Sequence, residues 1–235
     1  MVEHVPATAG CLSMPFDVYP YRLSGTVYGA LLNHRSVLAA LGESANQLPY
    51  GAPPIAPILY IKPRNTLSLS GDPVRIPLET PELEVGACLG LVIGRTACKV
   101  SESQALDFVA GYLIVADVSV PHSNLHRPSV RFKARDGFCP LGPAVTARAA
   151  VANCDALMLR IHVDGVLAQT ASTADLIRPA ARLLADVTDF MTLAPGDVLA
   201  LGAAAPAPRV RPNQTATIGI DGLGSLRIPF VGAVP

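Results

Sequence analysis

The chain has 235 residues, half of them hydrophobic, with 18 Lys+Arg against 18 Asp+Glu. That length can bury a sizeable core in one large domain, or in one domain with a small arm, while neutrality without a basic stripe argues against a nucleic-acid partner and for a protein that hides surface in an oligomer. The five cysteines show no C-x-x-C spacing, the N-terminus does not read as a signal peptide and no apolar run reaches the ~18 residues of a membrane span, so a reducing, cytoplasmic setting is expected.

In chain order, residues 25–41 read as a strand and a short helix, and residues 49–57, rich in Pro and Gly, as a linker. A boundary near residue 52 divides a small N-terminal arm, 1–52, from a body, 53–235. The run Ile58-Leu59-Tyr60-Ile61 predicts a buried strand. Ser101 with Gln104 forms a capping box, with Ala105, Leu106 and Val109 following at helical spacing. A strand is expected over 112–118. Val163-Asp164-Gly165-Val166, inside 157–169, is a hairpin signal. The stripe Leu183, Leu184, Val187, Phe190, Met191 marks a helix, with Pro179 in its first turn. Strands near 197–201 and 215–220 follow, and Asp221-Gly222 turns the second into 226–228. Strands outnumber helices, which gives a β-rich α+β domain.

Six islands appear in a fixed order. They are Ile61-Lys62-Pro63-Arg64-Asn65-Thr66; the strand from Leu83-Glu84-Val85-Gly86-Ala87-Cys88 to Val92-Ile93-Gly94; Ala110-Gly111-Tyr112 through Ala116-Asp117-Val118-Ser119; Phe132-Lys133-Ala134-Arg135-Asp136-Gly137-Phe138-Cys139-Pro140-Leu141-Gly142; Ser172-Thr173-Ala174-Asp175-Leu176-Ile177; and Leu193-Ala194-Pro195-Gly196-Asp197-Val198. Together they resemble the motifs of the fumarylacetoacetate hydrolase family. Asn33-His34-Arg35-Ser36 and the segments around Lys62 and Lys133 bring the wording closest to its isomerase/decarboxylases of homoprotocatechuate (4-hydroxyphenylacetate) breakdown.

The resemblance implies a mixed β-sandwich roll with flanking helices. It implies decarboxylation of 5-oxopent-3-ene-1,2,5-tricarboxylate and isomerisation of 2-hydroxyhepta-2,4-diene-1,7-dioate, in a homodimer or a heteromer with a sister subunit. It also implies Mg2+ or Mn2+, held by two glutamates and an aspartate, as a Lewis acid for a 2-oxo acid. Aligned on Val92-Ile93-Gly94, the glutamate positions fall on Gly86 and Cys88, which are not ligands, so Asp117 alone is left as a weak metal site. The alternative is a non-catalytic subunit supporting a metal-competent sister.

Lys133 matches the family lysine that contacts substrate. Arg131 and Arg135 read as substrate clamps or structural ion pairs. Gln169 and Thr173 match a polar pair beside the family's pocket, although Thr173 is also a natural N-cap. Glu82-Leu83-Glu84 is an E-x-E four residues early, read as a solvated strand start. The family's N-Y-x-x-H-x-x-E begins at Asn33 and His34, but Val37 and Ala40 stand where His and Glu belong, which leaves His34 structural. The family's T-G-T-P loop reads Leu201-Gly202-Ala203-Ala204. His122 and His126 read as solvated loop histidines, and Cys139 as buried packing.

Overall fold

The structure is a computed structural model that describes residues 11–12, 26–49, 51–123 and 129–233. Its elements are β1 (Cys11–Leu12), β2 (Val27–Leu31), α1 (Arg35–Leu41), β3 (Ile58–Lys62), β4 (Leu67–Leu69), β5 (Val74–Ile76), β6 (Leu83–Ile93) and β7 (Val109–Ser119). They continue with α2 (Val130–Lys133), β8 (Cys139–Ala147), β9 (Met158–Val163), β10 (Val166–Ser172), α3 (Ala180–Phe190), β11 (Val198–Ala200), β12 (Arg209–Val210), β13 (Thr215–Ile220) and β14 (Gly224–Gly232).

Two sheets form. The large one runs β1-β8-β7-β6-β11-β2-β3, with β4 added beside β8 and β12 beside β6. The small one runs β10-β9-β13-β14-β5. This is the β-rich α+β architecture expected, with a curled large sheet and few helices.

β6 and β7 pair antiparallel along their length, from Glu84 opposite Ser119 to Ile93 opposite Val109. Side chains alternate across a strand. Leu83, Val85, Leu89 and Leu91 of β6 and Tyr112, Ile114 and Val118 of β7 therefore face one core, with Ile161, Ile218 and Phe230 of the small sheet and Leu183, Leu184 and Val187 of α3. Cys88, Val92, Leu113 and Val115 face a second core with Cys139, Leu141, Val145 and Val198. Burial on both faces is why these strands read as near-continuous apolar runs.

The hairpin falls where expected, with Asp164 at φ 50° and Gly165 at φ 81°, the left-handed pair a two-residue turn needs. α3 buries Leu183, Leu184 and Val187 of its apolar stripe, while Phe190 at its last position is exposed and Met191 is its C-cap; Pro179 is its N-cap. The capping box does not form: Ser101 Oγ meets the Gln104 side chain and caps no backbone N–H. The segment Glu102–Phe108 is a 3-10 run, and Val109, β-branched, opens β7 instead. β3 is an edge strand, so Ile58 and Ile61 are 36% and 52% exposed where a buried strand was expected.

Much of the segment 1–52 lies outside the described residues. Its strand β2 sits inside the large sheet, parallel to β11 and antiparallel to β3. No helix among the described residues is long and apolar enough to cross a membrane.

Candidate functional site

A cleft of about 280 Å³ opens on the second-core side, at the ends of β6 and β7. Glu84, Gly86, Asp117, Ser119, His122 and Lys133 line it, with residues 203–207 and Arg209 as the facing wall. Register places Gly86 directly opposite Asp117. Glu84, Gly86 and Cys88 share one face by the two-residue period.

Asp117 is the only acid in this stretch of buried strand, and it is buried between two lysines. Lys133 Nζ, from the end of α2, donates to Asp117 Oδ2 at 2.5 Å. Lys62 Nζ, from the last residue of β3, stands 2.9 Å from Oδ1. In strand order β3 is four places from β7. The curl of the sheet brings Lys62 across the concave face, where it donates to the carbonyls of Val118 (2.8 Å), Lys133 (3.0 Å) and Phe138 (2.9 Å).

Three carbonyl acceptors occupy all three protons of an ammonium, so Lys62 is held in its charged form. Its 2.9 Å contact with Asp117 Oδ1 adds the attraction of opposite charges. Burial alone would raise the Asp117 carboxyl, but the charges of Lys133 and Lys62 prevail and hold it well below the usual carboxylate range. Burial pushes Lys62 down, opposed by Asp117 and reinforced by Lys133.

Tyr60 closes the site. Its ring lies 4.8 Å from Lys133 Nζ and 5.8 Å from Lys62 Nζ, a cation–π arrangement for both ammonium groups. Gly29 stands opposite Tyr60 in register, and a Cβ there would lie 2.0 Å from Tyr60 Cζ. The ring crosses the sheet where only glycine admits it.

These donors do not fit a divalent cation. Asp117 is already engaged by two positive groups. Gly86 offers no side chain, and a Cβ built on it would meet Ala203 Cβ at 2.7 Å. Cys88 is fully buried, and its thiol is pushed far up, first by burial and then by Asp117, so it stays protonated. No group of three or more His, Cys, Asp or Glu among the described residues is arranged to hold a metal.

The remaining candidates divide between the cleft and its supports. Glu84, at the start of β6 and partly exposed, belongs to the cleft wall and stands 3.6 Å from Arg209. Arg131 is exposed, and Arg135 pairs with Glu79 at 2.9 Å while donating through Nε to the Arg131 carbonyl; neither lines the cleft. Gln169 Nε2 donates to the Pro206 carbonyl at 2.6 Å and so braces the facing wall. Thr173 is buried, and its Oγ1 accepts from Leu157 N at 2.8 Å; the cap of that turn is Ser172.

His34 is the N-cap of α1: its Nδ1 accepts from Ser36 N and Ser36 Oγ, and Ser36 Oγ in turn accepts from Ala205 N. Asn33 Nδ2 donates to the Leu201 carbonyl at 2.8 Å. The loop that carries Ala203 is thus pinned by Asn33, Ser36 and Gln169. His122 is packed on the cleft wall, stacked on Phe132 at 4.5 Å with Nδ1 2.8 Å from the Val120 carbonyl. His126 lies outside the described residues. Cys139 is fully buried, as expected.

Residues 26–231 match the family model described as fumarylacetoacetate (FAA) hydrolase C-terminal. Over 209 residues the chain is 39% identical to the 4-hydroxyphenylacetate degradation bifunctional isomerase/decarboxylase of Escherichia coli, covering 89% of this chain and 48% of that protein. It spans about half the length of the curated isomerase/decarboxylases it matches. The fold is similar to that of a 2-hydroxyhepta-2,4-diene-1,7-dioate isomerase from Mycobacterium marinum, with a TM-score of 0.74 and 28% identity over 91% of this chain and 77% of that one. It is also similar to a maleylpyruvate hydrolase from Sphingobium sp. SYK-6 in complex with manganese(II) ion and pyruvate, with a TM-score of 0.74 and 28% identity over 89% and 71% of the two chains.

Proposed function

The chain belongs to the fumarylacetoacetate hydrolase family, and on that premise we propose that it is a unit of an isomerase/decarboxylase acting on a 2-oxo or 2-hydroxy dienoic polyacid. Its reactions on this reading are decarboxylation of 5-oxopent-3-ene-1,2,5-tricarboxylate and isomerisation of 2-hydroxyhepta-2,4-diene-1,7-dioate. The observation that carries the reading is the Lys133 ammonium in the cleft wall, fixed on one side by Asp117.

A 2-oxo acid presents a carboxylate beside a carbonyl oxygen. Lys133 uses one N–H on Asp117 and has two more to offer such an anion. Loss of carbon dioxide breaks a carbon–carbon bond and leaves the electron pair as an enolate. Isomerisation reaches the same charge after a proton is removed. A preorganised ammonium facing the developing charge favours both. Lys133→Ala is expected to weaken binding of a pyruvate-like ligand by about 1.5–3 kcal/mol, the value of a charge-assisted hydrogen bond. Calorimetry that finds an unchanged dissociation constant removes Lys133 from the site.

A second reading, a non-catalytic unit that supports a metal-competent sister, is favoured by the lack of donor side chains at Gly86 and of an ionised one at Cys88. Decarboxylase and isomerase assays separate the two, with the chain alone and mixed with a family member that keeps both glutamates. Turnover by the chain alone supports the enzyme. Turnover only in the mixture, indifferent to Lys133→Ala, supports the companion. Whether the assembly is a homodimer or a heteromer belongs to the same proposal.

A further inference from the structure

Lys62 is fully enclosed. Its Nζ is surrounded by four oxygens, three carbonyls at 2.8, 3.0 and 2.9 Å and Asp117 Oδ1 at 2.9 Å. An oxygen cage of this kind is what a hard cation requires, and here the cation is covalently part of the chain. We infer that Lys62 serves as the built-in cation of this cleft, and that Lys133 binds the carboxylate of a small 2-oxo acid with no divalent ion present. The class of anion rests on the proposed function; the independence from metal rests on the geometry.

Two arguments converge. The first is charge. One carboxylate between two ammonium groups leaves the buried centre with a net charge of +1. A divalent ion reaching Asp117 would stand against both lysines, whereas an anion entering the cleft is attracted by both. The second is division of labour. Lys133 lines the cleft and Lys62 does not. With all three protons on carbonyls, Lys62 is a positioning residue: it offsets the Asp117 charge and leaves the Lys133 ammonium with charge to spare for a ligand. Arg209, at the mouth, is already paired with Glu82 at 2.6 Å.

The test is calorimetric titration of the full chain with pyruvate, once after chelator treatment and once in excess Mg2+. The two dissociation constants are expected to agree within about twofold, and Lys133→Met to weaken binding about tenfold or more in both. Lys62→Met, where circular dichroism shows it folded, is expected to bind pyruvate weakly without metal and to recover part of the affinity with Mg2+. Where that variant does not fold, the wild-type comparison decides alone. Pyruvate binding that appears only with Mg2+ overturns the inference and leaves the proposed reaction standing. Binding under neither condition overturns the inference. Metal-free binding without turnover of the dienoic acids supports the inference and removes the proposed reaction.

Discussion

Asp117→Asn is expected to cost about 3–5 kcal/mol of stability, the range for removing one partner of a buried ion pair. The substitution keeps shape and volume, so little is lost in packing. What changes is that two buried ammonium groups lose their counter-charge. Lys133 lies beside the cleft and can turn toward water. Lys62 is fully buried and fixed by three carbonyls, so its charge stays in the interior. Denaturant unfolding at neutral pH measures the loss; a change of less than about 1 kcal/mol would show that the carboxylate is not the counter-ion of this centre.

The same carboxylate sets an acid limit. Its folded value lies below the unfolded value of about 3.9. Its contribution is therefore fully present above that pH and is lost as pH falls toward the folded value. Lys62 and Lys133 face it from β3 and the end of α2. Tyr60, Cys88 and Cys139 also face it, but burial raises all three, so they stay neutral throughout that window. His34, lowered by burial, loses its contribution below about pH 6.5 in both proteins and cancels in the comparison. Stability of the wild type is thus expected to fall more steeply below about pH 4 than that of Asp117→Asn.

Local patterns carried most of the fold. Asp164-Gly165 requires positive φ at both residues, and the stripe on α3 has a period the chain satisfies within eleven residues. The motif strand led directly to the pairing of Gly86 with Asp117. What escaped was set by long-range geometry. Lys62 is a lysine before a proline in a strand, and nothing nearby in sequence says that the sheet curls to bury it. A lysine in an apolar strand was the available signal, since a buried one must be paired. The place of Glu84 in the cleft wall depends on register with Ser119 and on Arg209 from a distant strand. Arg131 and Arg135 flank Lys133 in sequence, yet α2 is a single turn that directs only Lys133 inward.

Gly86 and Cys88, where the family resemblance places glutamates, have a packing counterpart, and substituting them tests it. Gly86→Glu with Cys88→Glu turns one carboxylate against two ammonium groups into three, so the site charge passes from +1 to −1 and a divalent cation becomes the favoured guest. Space stands in the way. The Ala203 Cβ lies 2.7 Å from where the new Cβ must go, and its loop is tied down through Leu201, Ala205 and Pro206. Overpacking of this kind costs about 1–3 kcal/mol. The double variant is expected to be destabilised and to gain little from metal; adding Ala203→Gly is expected to return most of the loss. The triple variant should then melt higher as Mg2+ or Mn2+ is added, by about 2.7 kcal/mol of stabilisation at a hundredfold excess over its dissociation constant. The wild type, whose cation is Lys62, should be indifferent to both ions. A triple variant with no metal-dependent rise would mean that positions 86, 88 and 117 do not converge on one ion. A rise in the wild type would mean that the lysines yield Asp117 to a metal after all.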